Sequence, residues 1–230
     1  NHSRETYCDV EIACRKNGEI LGIRGSVTAD IGAYMGTTGG ILASRTAQFL
    51  AGPYRVRNVS FEVSAVVTNK TPAGSYRGPG RFESTFFRER LFDMVAKRLN
   101  IDPLAFRQIN LLRSDELPFD IGQLVPYEGP ASYDHGDYPK VLNDCAQAIG
   151  WKDKDAIRGK ENDGRYHGLG ISCFVDSSGA GPKENARIRI EPNGNVTVFI
   201  GSCALGQGIE TALAQICADE LRIPMERIKV

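Results

Sequence analysis

The chain has 230 residues, 41% of them apolar and 24% charged, a balance that suits a globular protein with one large core or two smaller ones. Lys plus Arg equals Asp plus Glu at 28 each, so no net field directs it to nucleic acid or to an acidic membrane, and any anion site must be local. Cys8, Cys14, Cys145, Cys173, Cys203 and Cys217 form no Cys-x-x-Cys pair, which argues against zinc and iron–sulfur sites and for reduced thiols in a cytoplasmic protein, and no apolar run is long enough for membrane insertion.

The chain opens on alternating residues from Tyr7 to Asp30, interrupted by Asn17-Gly18, the pattern of an antiparallel hairpin. Residues 32–40 read as a glycine-rich flexible loop, 41–50 as a short helix and 56–69 as one or two strands. Next comes Thr71-Pro-Ala-Gly-Ser-Tyr-Arg-Gly-Pro-Gly-Arg-Phe-Glu-Ser. Gly74, Gly78 and Gly80 allow positive φ and close approach of backbone, Pro72 and Pro79 stiffen the path, and Arg77 supplies a planar fork of donors. A helix that starts directly after such a loop aims its amides at it, which suits a phosphate, pyrophosphate or oxo-anion.

That helix is expected over 83–99, with Phe86, Phe87, Leu91, Met94, Val95 and Leu99 as its core-facing side chains. Asp102-Pro103 begins another, as N-cap and first-turn proline, which runs to about Leu112. Residues 118–136, rich in Pro, Gly, Tyr and Asp, read as a surface connection and the best domain boundary. A helix over 139–150 and a charged surface segment over 152–162 follow. Strands are expected over 166–175, 186–191 and 196–200, the last two joined by the turn Pro192-Asn-Gly-Asn.

The strand ending at Ile200 leads into Gly201-Ser-Cys-Ala-Leu-Gly-Gln-Gly, and a helix over 210–221 then precedes a last short strand. Gln207 sits between Gly206 and Gly208; its carboxamide both donates and accepts, so it can read a heterocycle edge that a charged side chain cannot match. The fold class is therefore α+β: two mixed units of antiparallel and mixed sheet with packed helices and a cleft between them. The first unit is placed at 1–117, the connection at 118–137 and the second unit at 138–230.

Three other motifs carry less. Asp176-Ser-Ser-Gly-Ala-Gly-Pro lacks the Gly-x-Ser-x-Gly spacing of a nucleophile elbow, and only His2, His135 and His167 could serve it as base. Asp134, His135 and Asp137 are too close in sequence to converge on one metal ion. The glutamine loop lacks the lysine of a nucleotide phosphate loop.

Several motifs occur together in one order: Asp30-Ile-Gly-Ala-Tyr, Tyr76-Arg-Gly-Pro-Gly-Arg, Glu89-Arg-Leu-Phe-Asp-Met-Val-Ala, Ile101-Asp-Pro-Leu-Ala-Phe-Arg-Gln-Ile-Asn, Gly206-Gln-Gly with Thr211, and Gln215-Ile-Cys-Ala-Asp-Glu-Leu. In these the sequence resembles the large, molybdenum-binding subunit of the xanthine dehydrogenase, aldehyde oxidase and carbon monoxide dehydrogenase family. The resemblance implies molybdenum held by molybdopterin, as its cytosine dinucleotide, and oxidation of an aldehyde or N-heterocycle with water as oxygen source. Iron–sulfur and FAD subunits or domains would be its partners. It assigns Arg77 and Gly78 to the metal end of the cofactor, Gly206, Gln207, Gly208 and Thr211 to the pterin end, and Arg45 to orientation of the substrate.

The departures from the family pattern are specific. Gly78 stands where carbon monoxide dehydrogenases place the cysteine that holds copper, and Pro79 where xanthine-type enzymes place an aromatic residue. The family's Gly-Gly-Gly-Phe-Gly loop and its Gly-Val-Gly-Glu motif, whose glutamate is the general base, have no counterpart here, so no catalytic residue and no protein metal ligand is named. The chain is thus expected to be a middle portion of a longer subunit, inactive alone, the alternative being a non-catalytic cofactor-binding or assembly module.

Overall fold

A computed structural model describes residues 5–122, 131–176 and 184–230. Contacts divide the chain into two compact units, 1–176 and 177–230, each taken in its own frame below.

In the first unit, β1 (Glu5–Cys14) pairs antiparallel with β2 (Ile20–Gly32) around the expected Asn17-Gly18 turn. Gly18 has φ +92°, the left-handed region that favours glycine, and it sits close against Ile101, Phe106 and Ile109. Strand β3 (Val59–Val67) lies parallel to β2, a pairing that needs a crossover, and α1 (Ile41–Gln48) lies on that connection. Helices α2 (Arg81–Leu99) and α3 (Pro103–Asn110) follow, the latter capped as expected by Asp102, whose Oδ1 accepts from Leu104 N at 2.9 Å and Ala105 N at 3.3 Å. The core between sheet and helices gathers Ile20, Ile23, Leu50, Tyr54, Phe92 and Phe106, with Phe92 edge-on to both Tyr54 and Phe106 at centroid distances of 4.9 and 5.4 Å.

The buried face of α2 is only in part the apolar stripe that its sequence suggested: Phe87, Val95 and Leu99 pack on the core, partly buried. Phe86 and Met94 are 66% and 56% exposed, while Arg88 and Glu89 are buried beside Phe92 and Ala96. Charge pairing explains the difference. Glu89 accepts from Arg88 Nε at 2.8 Å, from Arg107 Nε at 2.7 Å and from the Tyr54 hydroxyl at 3.0 Å, so its charge is fully bonded inside the core. Gly52, at φ +60°, makes room for the network: a Cβ there would lie 2.4 Å from Arg88 Cζ.

After α3, a short hairpin of β4 (Phe119–Gly122) and β5 (Ala131–Tyr133) buries Phe119 and Tyr133 with Leu112; residues 123–130 of the expected surface connection lie outside those described. Helix α4 (Tyr138–Ala148) sends Leu142 into the first core, so residues expected to begin the second unit pack in the first. A short α5 (Lys154–Ile157) and the two-residue strands β6 (Glu161–Asn162) and β7 (Arg165–Tyr166) come next. The strand expected over 166–175 ends at Tyr166. Beyond it Ile171, Cys173 and Val175 turn inward and Ser172, Phe174 and Asp176 outward, which is strand-like alternation without a strand partner among the described residues.

The second unit pairs β8 (Ala186–Ile190) antiparallel with β9 (Val196–Ile200) through the expected turn, where Gly194 takes φ +81° and its N–H donates to Glu191 O at 2.9 Å. Helix α6 (Ile209–Leu221) buries Ala214 and Cys217, the latter against Val196 and Val198. Strand β10 (Ile228–Lys229) then joins β9 in parallel. Among the described residues no helix is long and apolar enough to cross a membrane.

Two stability predictions follow from the first unit. Glu89→Ala leaves Arg88 and Arg107 buried without their carboxylate and should lower unfolding free energy by about 3–5 kcal/mol, read from chemical denaturation. Arg55 donates to the Glu116 carboxylate and holds its pKa down at about 2, below the ordinary 4.5. A depressed carboxylate adds stability that is complete above its unfolded pKa and lost as pH falls through the folded one. Acid titration of stability between about pH 4.5 and 2 should therefore be shallower in Glu116→Gln than in the parent.

Candidate functional site

The arginine loop is fixed at its base by hydrogen bonds to the end of β2 and to the turn after it. Ala33 N donates to Lys70 O at 2.9 Å, Ala73 N to Ile31 O at 3.0 Å, and Ser75 N to Thr38 Oγ1 at 2.9 Å. Asp30 accepts from Thr68 Oγ1 at 2.7 Å and Gly32 N at 2.9 Å and pairs with Lys70 at 2.9 Å; the Thr68 bond, then Lys70 and Gly32, hold its carboxyl at about 2. The far end of the loop is fixed by a close approach. Gly80 forms the N-cap of α2 at φ +78°, and a Cβ there would lie 2.5 Å from Arg45 Cβ and 2.7 Å from Thr46 N.

Between these anchors Tyr76 and Arg77 are exposed. Gly78 has φ +70°, and no heavy atom among the described residues lies within 4 Å of where its Cβ would be. The loop therefore presents bare backbone at Gly78 and the exposed side chain of Arg77 next to a helix start that no side chain caps. They border a cavity of about 730 Å³, whose other walls are the first three turns of α2 and residues 170–176. Phe82, Phe86 and Phe174 line it, at 55%, 66% and 64% exposure, and Arg81, which pairs with Asp176 and lies 4.5 Å over the Phe49 ring, closes one side.

Of the residues singled out from sequence, Arg77 and Gly78 line this cavity. Arg45 stands behind the loop, half-buried, its backbone against Gly80 and its Nη1 donating to Gln48 Oε1 at 2.9 Å. Gly206, Gln207, Gly208 and Thr211 belong to the second unit. There Gly206 and Gly208 take φ +91° and +74°, Gly208 is the N-cap of α6, and Thr211 is exposed in its first turn. Gln207 Oε1 accepts from Leu205 N at 2.5 Å, which spends one acceptor position inside the loop, and the residue is exposed.

The cavity lining includes Phe174, which sequence reading did not single out, and gives a place to Arg81 and Asp176, which stood only as members of quoted motifs. The signal of Phe174 was the period-two alternation of 171–176, read as a strand in a sheet when its outward half is a cavity wall. Ser177 to Pro182 of the serine loop, and His2, lie outside the described residues. The six cysteines are free, and burial raises the thiols of Cys8, to about 11, and of Cys173, so neither is a poised nucleophile. Among the described residues no group of three His, Cys, Asp or Glu is placed to hold a metal ion. The first unit offers a guanidinium, glycine backbone and a helix start without a side-chain cap, and the second a carboxamide and another such helix start; each set by itself is of a kind that suits an anionic or heterocyclic ligand.

Comparison with known proteins agrees. The molybdopterin cofactor-binding domain family matches residues 1–111 and, through a second domain of the same description, 144–230. Subunit gamma of the 6-hydroxypseudooxynicotine dehydrogenase complex of Paenarthrobacter nicotinovorans is 38% identical over the whole of this chain and 29% of its own length. The carbon monoxide dehydrogenase large chain of Hydrogenophaga pseudoflava is 31% identical over 99% of this chain and 30% of its own. Among solved structures, quinoline 2-oxidoreductase of Pseudomonas putida 86 superposes with a TM-score of 0.78 at 30% identity, over 98% of this chain and 30% of that one. The chain belongs to the molybdopterin cofactor-binding family of the molybdenum hydroxylases, and it spans about 30% of the length of the curated relatives it matches.

The two loop glycines should respond differently to a methyl group. Both are left-handed, so each alanine costs about 1 kcal/mol in backbone strain, but only Gly80→Ala adds a steric clash worth about 1–3 kcal/mol more. Thermal denaturation should rank Gly80→Ala well below Gly78→Ala, and equal melting temperatures would show that the loop does not depend on its contact with α1.

Proposed function

We propose that the whole protein is a molybdenum hydroxylase that oxidises an N-heteroaromatic compound with water as oxygen source, and that this chain supplies two of the loops that hold its molybdopterin. The observation that carries this reading is the aromatic-lined cavity of about 730 Å³ set directly against the Tyr-Arg-Gly loop. Three phenylalanines give it flat apolar walls suited to a planar ring, and an exposed guanidinium at one end suits an anion. Two relatives named for an oxynicotine and for quinoline favour a nitrogen heterocycle over an aldehyde.

Within this reading Arg77 donates to an anionic oxygen at the metal end of the cofactor, and Gly78 lets the backbone approach without a side chain between. Gln207, with Gly206 and Gly208, reads the pterin edge, donating through its NH2; the Thr211 hydroxyl lies one turn into α6, within reach of the same ligand. Arg45 orients the substrate from behind the loop. The cofactor, in its cytosine dinucleotide form, supplies the redox and oxygen-transfer chemistry when bound. The general base is contributed by residues outside this chain. Gly78 in place of cysteine removes the thiolate that a copper partner would need, which turns the reading away from carbon monoxide as substrate. Iron–sulfur and FAD subunits would take up the electrons, in the cytoplasm.

In the intact protein, Gln207→Ala should lower the molybdenum-to-protein ratio several-fold, and an unchanged ratio would remove the pterin role of that residue. Arg77→Lys keeps the charge but loses the fork, and should reduce kcat/KM for a quinoline- or pyridine-type substrate on the order of tenfold or more. The isolated 230-residue chain should show no turnover; turnover by it would contradict the placement of the base elsewhere.

A further inference from the structure

Residues 170–176, which line the cavity together with the arginine loop, have no strand partner among the described residues, yet their outward side chains are presented as regularly as those of a strand. Inward-facing Ile171 and Cys173 pack on the main core and Val175 on the small cluster around Leu112. Those apolar contacts set depth but leave sliding along the helix unopposed. Two arginines of α2 oppose that sliding. Arg88 supplies a directional bond, its Nη2 donating to Cys173 O at 2.5 Å, and Arg81 adds an ion pair with the Asp176 carboxylate, in which its Nε makes no aligned hydrogen bond. They stand seven residues apart, two turns of one helix, and so lie on the same face.

Both arginines are themselves fixed by the same residue of the neighbouring element. Phe49, the C-cap of α1, accepts from Arg88 Nη1 at 2.9 Å through its carbonyl, and its ring lies 4.5 Å beneath the Arg81 guanidinium. Glu89 at 2.8 Å and the methyl-free space over Gly52 complete the seat of Arg88, whose side chain is 1% exposed. Each guanidinium therefore joins α1, α2 and the 170–176 segment, and α1 is also what Gly80 of the arginine loop rests on. One rigid frame sets both sides of the cavity.

We propose that Arg81 and Arg88 are positioning residues, a pair of clamps that hold residues 170–176 against α2 and thereby set the width of the cavity between Phe174 and the Phe82–Phe86 face. The assignment of that width to substrate recognition rests on the function proposed above; the clamping itself does not.

Exchange of the Cys173 thiol with an aromatic disulfide, read by mass spectrometry on the 168–176 peptide of the intact protein, tests the clamp without any need for cofactor, because this partly buried thiol reacts faster when the segment loosens. Arg88→Lys, which cannot reach Glu89, Phe49 O and Cys173 O at once, should speed exchange there about tenfold, the loss expected for one hydrogen bond to a charged group. Asp176→Asn, at a half-exposed position that leaves the core untouched, should speed it a few-fold and keeps the test open if Arg88→Lys fails to fold. Arg107→Lys is the control: it disturbs the same carboxylate but its bonds go to Glu89, Asp93 and Pro103 O, so it should leave the rate at that thiol unchanged. Unchanged exchange in Asp176→Asn, or an equal rise in Arg88→Lys and Arg107→Lys, overturns the clamp. In cofactor-loaded protein Asp176→Asn should raise KM for an N-heteroaromatic substrate more than it lowers kcat. An unmoved KM, with exchange faster as expected, overturns the role in recognition, whereas loss of turnover with normal exchange in the parent counts against the function and not the clamp.

Discussion

Everything in the first unit is arranged around one carboxylate held between two guanidiniums inside an apolar core. Moving Glu89 out of water is costly, and only the bonds from Arg88, Arg107 and Tyr54 offset that cost. The arrangement fixes more than charge. Arg107 reaches from α3 to Glu89 and Asp93 of α2, Tyr54 from the segment that pairs with Leu111, and Arg88 outward to Phe49 and Cys173. A hydrophobic contact tolerates a slide of an ångström, and these bonds do not. The network therefore specifies where α1, α2, α3 and the 170–176 segment stand relative to one another, while Phe92, Phe106 and Leu50 supply the bulk of the burial.

Much of this organisation was legible from the chain alone, for physical reasons that differ by element. Asn17-Gly18 declared its hairpin because only a left-handed residue closes that turn, and Asp102-Pro103 declared a helix start because a carboxylate cap and a missing N–H both belong there. Helix α2 declared its existence and, through Phe87, Val95 and Leu99, part of its inner face, but hid the charged centre of that face. Six apolar residues at helical spacing outvoted Arg88 and Glu89 in any pattern count, since pattern counts place charges outside; the partners that reverse this, Tyr54 and Arg107, lie 35 and 18 residues from Glu89. For the same reason 166–175 read as a strand. Alternation encodes which side chains face inward, and it cannot tell a ladder of backbone bonds from two arginines on a neighbouring helix.

The site was legible to the extent that backbone conformation dictates residue type. Positive φ at Gly78, Gly80, Gly206 and Gly208 is written in the sequence as glycine, and so the two loops stood out. The cavity walls were not, because Phe82, Phe86 and Phe174 are ordinary apolar residues until their exposure is known. An exposed phenylalanine signals little singly, but three around one hollow beside the arginine loop form a contiguous apolar lining.

The division of labour between Gly78 and Gly80 shows how such a loop can be both rigid and open. Two residues apart, both are left-handed, yet one faces the backbone of α1 at 2.5–2.7 Å and the other faces nothing within 4 Å. A loop with glycine only at the open position would lack a fixed end, and Arg77 would lose its direction to the entropy of the chain. With glycine only at the packed position, the side chain of residue 78 would stand between backbone and ligand. Both conditions together make the loop a rigid, bare edge, anchored through α1 to the same frame that Arg81 and Arg88 use for the 170–176 wall. The chemistry that such an edge serves is set by its guest, and the precision of placement is set by a buried ion network more than a helical turn away along α2.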